Sequence, residues 1–126
     1  MKGVIISICI AAVIAAGSAA YTKHIENVSD ELGEISGQIT EHLESGDYAA
    51  AAEMARLLGE YLDRERTVLA MTGNHEEIDK IEMNISEMTE YIDGGQRTDA
   101  LSRCRVLNFL FEHLPKNYEM RWENIL

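Results

Sequence analysis

Apolar residues recur at helical spacing along most of this 126-residue chain. Over residues 25–43 they alternate spacings of three and four, which predicts a helix with one buried face. Comparable patterns predict helices over residues 48–69, 78–92 and 98–113, and Pro115 is expected to end the last of them. The chain therefore belongs to the all-α class. The apolar seam of the first of these helices consists of Ile25, Val28, Leu32, Ile35 and Ile39.

Two glycine-containing turns divide these helices into two similar pairs. Ser45-Gly46-Asp47 and Asp93-Gly94-Gly95 interrupt the apolar pattern, and aligning residues 39–62 with 88–111 gives six identities in 24 positions at an offset of 49. Each half is predicted to be an αα-hairpin that cannot bury its apolar face alone. The two hairpins should stack, as a four-helix bundle or as a tetratricopeptide-like array.

An uncharged segment precedes the predicted helical domain. Residues 3–21 include no charged side chain, and as a helix they could cross about 30 Å of hydrocarbon. We interpret residues 1–22 as a membrane anchor and residues 23–126 as a separate domain. A signal peptide cleaved after Ala20 is the alternative. Lys2 favours a cytoplasmic N-terminus in a single-pass bacterial cell-membrane protein, with residues 23–126 outside the cytoplasm.

Charge narrows the class of partner. All 22 acidic residues lie after residue 22, together with only ten basic ones, so the predicted domain carries about −12. This argues against binding nucleic acid and favours cationic partners. Of the two cysteines, Cys104 falls on the apolar face of a predicted helix and is expected to be a buried packing residue.

The segment "GNHEEIDKIE", residues 73–82, is the strongest candidate for a site. His75, Asp79 and Glu82 would share one strip on a helix and could bind a metal cation with a ligand from elsewhere. However, Asp79 stands where the H-E-x-x-H zinc motif needs histidine. The same residues are also explained if Asn74 caps the helix and the acidic side chains after it are solvated. We therefore predict an acidic rim that binds a partner, and keep cation binding as the alternative.

The remaining predictions concern partners and activity. The partner-binding residues are predicted to be His75, Glu76, Asp79 and Glu82, with Trp122 of the C-terminal segment as an aromatic contact. The sequence offers no nucleophile paired with a base and no phosphate-binding loop, so we expect neither an enzyme nor a cofactor. The expected partner is another membrane or envelope protein, and the seam over residues 25–39 would also permit self-association.

Several short motifs together resemble one uncharacterised bacterial family, domain of unknown function 4363. That resemblance covers nearly the whole chain and implies an envelope-associated helical protein without an assigned catalytic residue. The motifs are the apolar segment, Ser29-Asp30-Glu31-Leu32, Gly46-Asp47-Tyr48 with Ala51, His75-Glu76-Glu77-Ile78-Asp79, His113-Leu114-Pro115 and Asn124-Ile125-Leu126.

Overall fold

Four helices make up the fold of the computed structural model, which describes residues 1–71 and 75–125 and the side chains of residues 1–71 and 75–115. No strand occurs in these ranges, and the all-α prediction is confirmed. The helices are α1 (Lys2–Glu44), α2 (Tyr48–Ala70), α3 (His75–Asp93) and α4 (Arg97–Ile125).

The apolar N-terminal segment and the first helix of the domain form one continuous helix. α1 has 43 residues and is about 65 Å long at 1.5 Å per residue. Neither glycine nor proline occurs between Gly17 and Gly33 to interrupt it. Among the described residues, α1 is the one helix long and apolar enough to cross a membrane, and its apolar part is exposed.

The helices form a closed ring rather than an open array. α1 packs against α2 and α4, and α3 packs against the same two helices. Consecutive helices are joined by short connections, so neighbours in the ring run antiparallel. Of the two predicted arrangements of stacked hairpins, the structure is therefore the four-helix bundle. The largest fully buried side chains are Ile25, Leu32, Ile39, Leu43, Leu58, Leu62, Leu69, Ile81, Met88, Leu107, Phe111 and Leu114.

The apolar seam of α1 is used up inside this bundle. Its five residues, from Ile25 to Ile39, are each less than one-tenth exposed. The seam is therefore not available for self-association in this structure, because it already faces the core formed with α2 and α4.

The internal repeat is visible in the two hairpin turns. Gly46 and Gly95 have positive φ, 80° and 68°, a conformation that glycine adopts without steric cost. The N–H of Asp47 donates to the carbonyl of His42 at 2.9 Å. At the equivalent position 49 residues later, the N–H of Gln96 donates to the carbonyl of Tyr91 at 2.8 Å. Both turns are Schellman motifs. Paired positions are also alike in the core: Ile39 and Met88, Leu43 and Ile92, Ala51 and Ala100, Ala55 and Cys104, Leu58 and Leu107, Leu62 and Phe111 are all buried.

Pro115 does not end α4, contrary to the expectation from the sequence. It lies inside the helix, which runs on to Ile125. A proline removes one backbone N–H from the helix, so the carbonyl four residues earlier loses its usual partner. That carbonyl, on Phe111, accepts the hydroxyl of Ser29 from α1 instead, which removes part of the cost of the proline.

Candidate functional site

The predicted acidic rim begins α3. His75, Glu76 and Asp79 are exposed there, with the acids of the first turn near the positive end of the helix dipole. Because the helices alternate in direction, this end of α3 lies at the end of the bundle where α1 leaves its apolar segment. The rim is therefore placed at the end of the domain that faces the predicted anchor.

Glu82 differs from the exposed residues of the rim because it has a partner on another helix. Its carboxylate forms an ion pair with Arg66 of α2, and Arg66 also bonds Asp63, at 3.2 Å from guanidinium nitrogen to carboxylate oxygen. The arginine thus bridges α2 and α3 and neutralises the acid that the helical wheel placed beside His75. Glu82 works as an interhelix contact in this structure.

The other predicted site residues have separate outcomes. Among the described side chains, no three His, Cys, Asp or Glu residues come together as a group that could hold a metal ion. The set His75, Asp79 and Glu82 is not brought together as ligands. The side chain of Trp122, and Asn74 as the predicted helix cap, lie outside the described residues.

Polar contacts fasten α1 to α2 just after the apolar segment. The hydroxyl of Tyr21 donates to the carbonyl of Val68 at 2.9 Å. One turn later, Nε2 of His24 lies 2.8 Å from a carboxylate oxygen of Glu65. These contacts fix the direction in which the predicted anchor leaves the bundle.

A groove of about 450 Å³ lies between α1 and α4. On the α1 side it is lined by Gly33 and Gly37, four residues apart, where an added Cβ would meet nothing within 4 Å. On the α4 side Asn108 and Glu112 line it. The charged residues that line the groove, Asp30 and Glu112, are both acids.

The floor of the groove contains the hydrogen bond that compensates for Pro115. Ser29 is 6% exposed, and its hydroxyl donates to the carbonyl of Phe111. A buried carbonyl left without a donor costs about 1–3 kcal/mol. This contact therefore links α1 to α4 and keeps α4 helical past residue 115.

Replacement of Ser29 should reveal this compensation. We expect Ser29→Ala to lower the free energy of unfolding by about 1–3 kcal/mol, because the carbonyl of Phe111 loses its donor. In a Pro115→Ala background the loss should be smaller, since the new backbone N–H can bond the same carbonyl. Denaturant titrations followed by circular dichroism would measure both, with Ser102→Ala at an exposed position of α4 as the control. Equal losses in the two backgrounds would contradict the compensation.

Cys104 is a core residue, in agreement with the sequence prediction. It is 1% exposed, and its thiol donates to the sulfur of Met88 at 3.2 Å. Burial raises the pKa of the thiol to about 11, against a smaller lowering by the side chain of Thr40. The reactive thiolate is therefore suppressed in the folded state.

The raised pKa of Cys104 predicts a loss of stability in alkali. In the unfolded chain the thiol ionises with a pKa near 9, whereas the folded state holds it neutral. The stability that the neutral buried thiol contributes is complete below pH 9. It is lost as pH rises toward 11, where the free energy of unfolding falls by at most about 1.4 kcal/mol per pH unit. We expect the unfolding free energy of the natural chain to fall more steeply over this range than that of Cys104→Ala. The difference between the two removes the contribution of Tyr61, whose pKa burial also raises. Parallel curves would exclude the thiol as the cause.

The groove between α1 and α4 was not predicted from the sequence. Its signals were present as Gly33 and Gly37 within a helical pattern and as a proline that was interpreted as a stop. Spacing alone did not show that α1 and α4 are neighbours, and that contact creates the groove.

Comparison with known proteins gives one match. A family model described as "Domain of unknown function (DUF4363)" matches residues 19–125. No curated protein and no solved structure matches the chain.

Proposed function

The chain belongs to the family described as Domain of unknown function (DUF4363), and on that premise we propose that it is a single-span membrane protein whose acidic four-helix domain binds another protein at the cell envelope. Its role would be binding rather than catalysis, without a cofactor.

The observation that carries the proposal is the structure of α1. Its second half supplies one side of a bundle core, while the first half exposes large apolar side chains such as Ile5, Ile8 and Val13. The core of the bundle forms without this segment, and an exposed apolar surface of this length fits a lipid bilayer. The helix continues through the junction without a break, which supports an uncleaved anchor.

The acidic surface supports a protein partner. The excess of about −12 charges after residue 22 repels anionic lipid and nucleic acid. At the anchor-facing end, the exposed side chains of His75, Glu76 and Asp79 offer a rim for a cationic surface. Confinement to the membrane raises the effective concentration of both proteins, so that a modest affinity is sufficient for occupancy.

The proposed topology places the N-terminus in the cytoplasm of a bacterial cell and residues 23–126 outside it. A single cysteine at exposed Glu44, in a chain with Cys9→Ser and Cys104→Ala, should react with a membrane-impermeant maleimide in intact cells. A cysteine at Lys2 should react only after lysis. Labelling of the two positions in the reverse order would overturn the orientation, and an intact mass lacking residues 1–20 would overturn the anchor.

Crosslinking in native membranes tests the binding function. A tagged full-length chain should recover a defined membrane or envelope protein, and the variant His75→Ala, Glu76→Gln, Asp79→Asn should recover less of it. The matched control, Glu90→Gln with Asp93→Asn, removes exposed acids from the other end of the same helix. Recovery of nothing beyond an untagged control would overturn the proposal.

A further inference from the structure

We infer that the groove between α1 and α4 receives an arginine-bearing segment of the partner protein. This rests on the proposed binding function and gives it a second, specific surface. The groove lies on a different side of the bundle from the rim at the start of α3, so the two surfaces can be tested separately.

The internal repeat supplies a template for what the groove should hold. The offset of 49 relates α1 to α3 and α2 to α4, so the α1–α4 contact has a counterpart between α3 and α2. In the counterpart, Arg66 extends between the two helices to Glu82 and Asp63. An arginine, with two carboxylates around it, occupies that position.

The α1–α4 contact has the same arrangement of helices, but no arginine occupies the corresponding position. Pro115 stands in the place of Arg66, Gly33 in the place of Glu82, and Glu112 in the place of Asp63. Glu112 keeps its carboxylate, and Asp30 adds a second one to the lining. Neither acid forms an ion pair with any side chain of residues 1–71 and 75–115. The groove thus retains one of the two acids that bind the guanidinium group in its counterpart, Glu112 in the place of Asp63, and adds Asp30, whose own counterpart Asp79 does not pair with Arg66.

The two glycines point to an approaching backbone rather than a small cation. Glycine inside a helix destabilises it relative to alanine. Gly33 and Gly37 carry that cost although a Cβ added at either position would meet no atom of the bundle within 4 Å. Their flat surface permits close approach by another helix, as small residues four apart do elsewhere.

Charge selects the occupant. A second copy of this chain would bring another strongly acidic domain against Asp30 and Glu112, which like-charge repulsion disfavours. A partner segment with one arginine between small residues complements both the carboxylates and the glycine surface. Arginine fits better than lysine because its planar guanidinium can bond two carboxylates at once.

Photocrosslinking from inside the groove tests this inference in native membranes. A benzoylphenylalanine at Gly37 of the full-length chain should crosslink a partner protein, and mass spectrometry should place the adduct within about one helical turn of an arginine. The matched control position is Gly59 of α2, which also sits in a helix with open space around it. A third position, Asp79, reports on the rim alone.

Two sets of variants connect the crosslink to charge and space. Asp30→Asn with Glu112→Gln should lower the yield at Gly37 by about fivefold or more, whereas Asp63→Asn should leave it unchanged. The pair Gly33→Glu and Pro115→Arg copies the Glu82–Arg66 arrangement into the groove and should abolish the crosslink while the bundle remains folded by circular dichroism.

Each outcome is decisive. A partner adduct at Gly37 that disappears in the closed variant supports the inference. Adducts at Asp79 but not at Gly37 would overturn the groove and leave the proposed function intact, whereas adducts at neither would overturn both. An adduct at Gly37 on a second copy of this chain, or on a segment without basic residues, would also overturn it.

Discussion

Truncation of Phe111 to alanine should remove a large part of the stability of the bundle. The side chain is 1% exposed and lies in the core near the contact of α4 with α1. Loss of a buried phenylalanine combines lost burial with an unfilled cavity and typically costs about 3–5 kcal/mol. Small domains have about 5–15 kcal/mol in total, so Phe111→Ala should shift the denaturant midpoint strongly.

The same helix provides a matched control two residues away. Phe109 is 59% exposed and stacks on His113 with ring centroids 4.2 Å apart. We expect Phe109→Ala to change the unfolding free energy by about 0.5 kcal/mol or less. Urea titrations of the full-length chain in detergent would compare the two variants. Similar losses would contradict the orientation of α4 described above.

Interrupting α1 at its junction should uncouple the apolar segment from the bundle. Proline at residue 22 removes a helical hydrogen bond and clashes with the preceding turn, at a cost of about 3 kcal/mol or more. Spin labels at residues 10 and 34 should lie about 36 Å apart, with a narrow distribution, if the helix is continuous.

Double electron–electron resonance spectroscopy in nanodiscs would measure the distance between the two spin labels in a chain whose native cysteines have been replaced. Thr22→Pro should broaden and shorten the distribution, and Thr22→Ala should leave it unchanged. A broad distribution in the unsubstituted junction would show that α1 is not one rigid helix.

Local pattern predicted the helices and most of the core. The spacing of three and four from Ile25 to Ile39 identified the buried face of α1, and Gly46 and Gly95 identified the turns, because both features depend on neighbouring residues. The six identities at offset 49 anticipated two turns with the same hydrogen bonds.

Features that depend on contacts between distant residues were not predictable in this way. Pro115 was expected to end α4 because its partner, the hydroxyl of Ser29, lies 82 residues away in the chain. Glu82 was placed in the rim because the wheel did not include Arg66 on another helix. The α1 seam was open to self-association until the ring arrangement enclosed it.

The unbroken α1 also sets a height. Gly33 and Gly37 lie about 12 to 16 residues beyond the end of the apolar segment at Tyr21, which corresponds to roughly 20 Å along the helix axis. If residues 3–21 span the bilayer as proposed, α1 holds the groove at that distance above the lipid surface. A membrane-bound partner would be selected by where its arginine stands as well as by its chemistry, and a spacer inserted after Ala20 would put the two out of register.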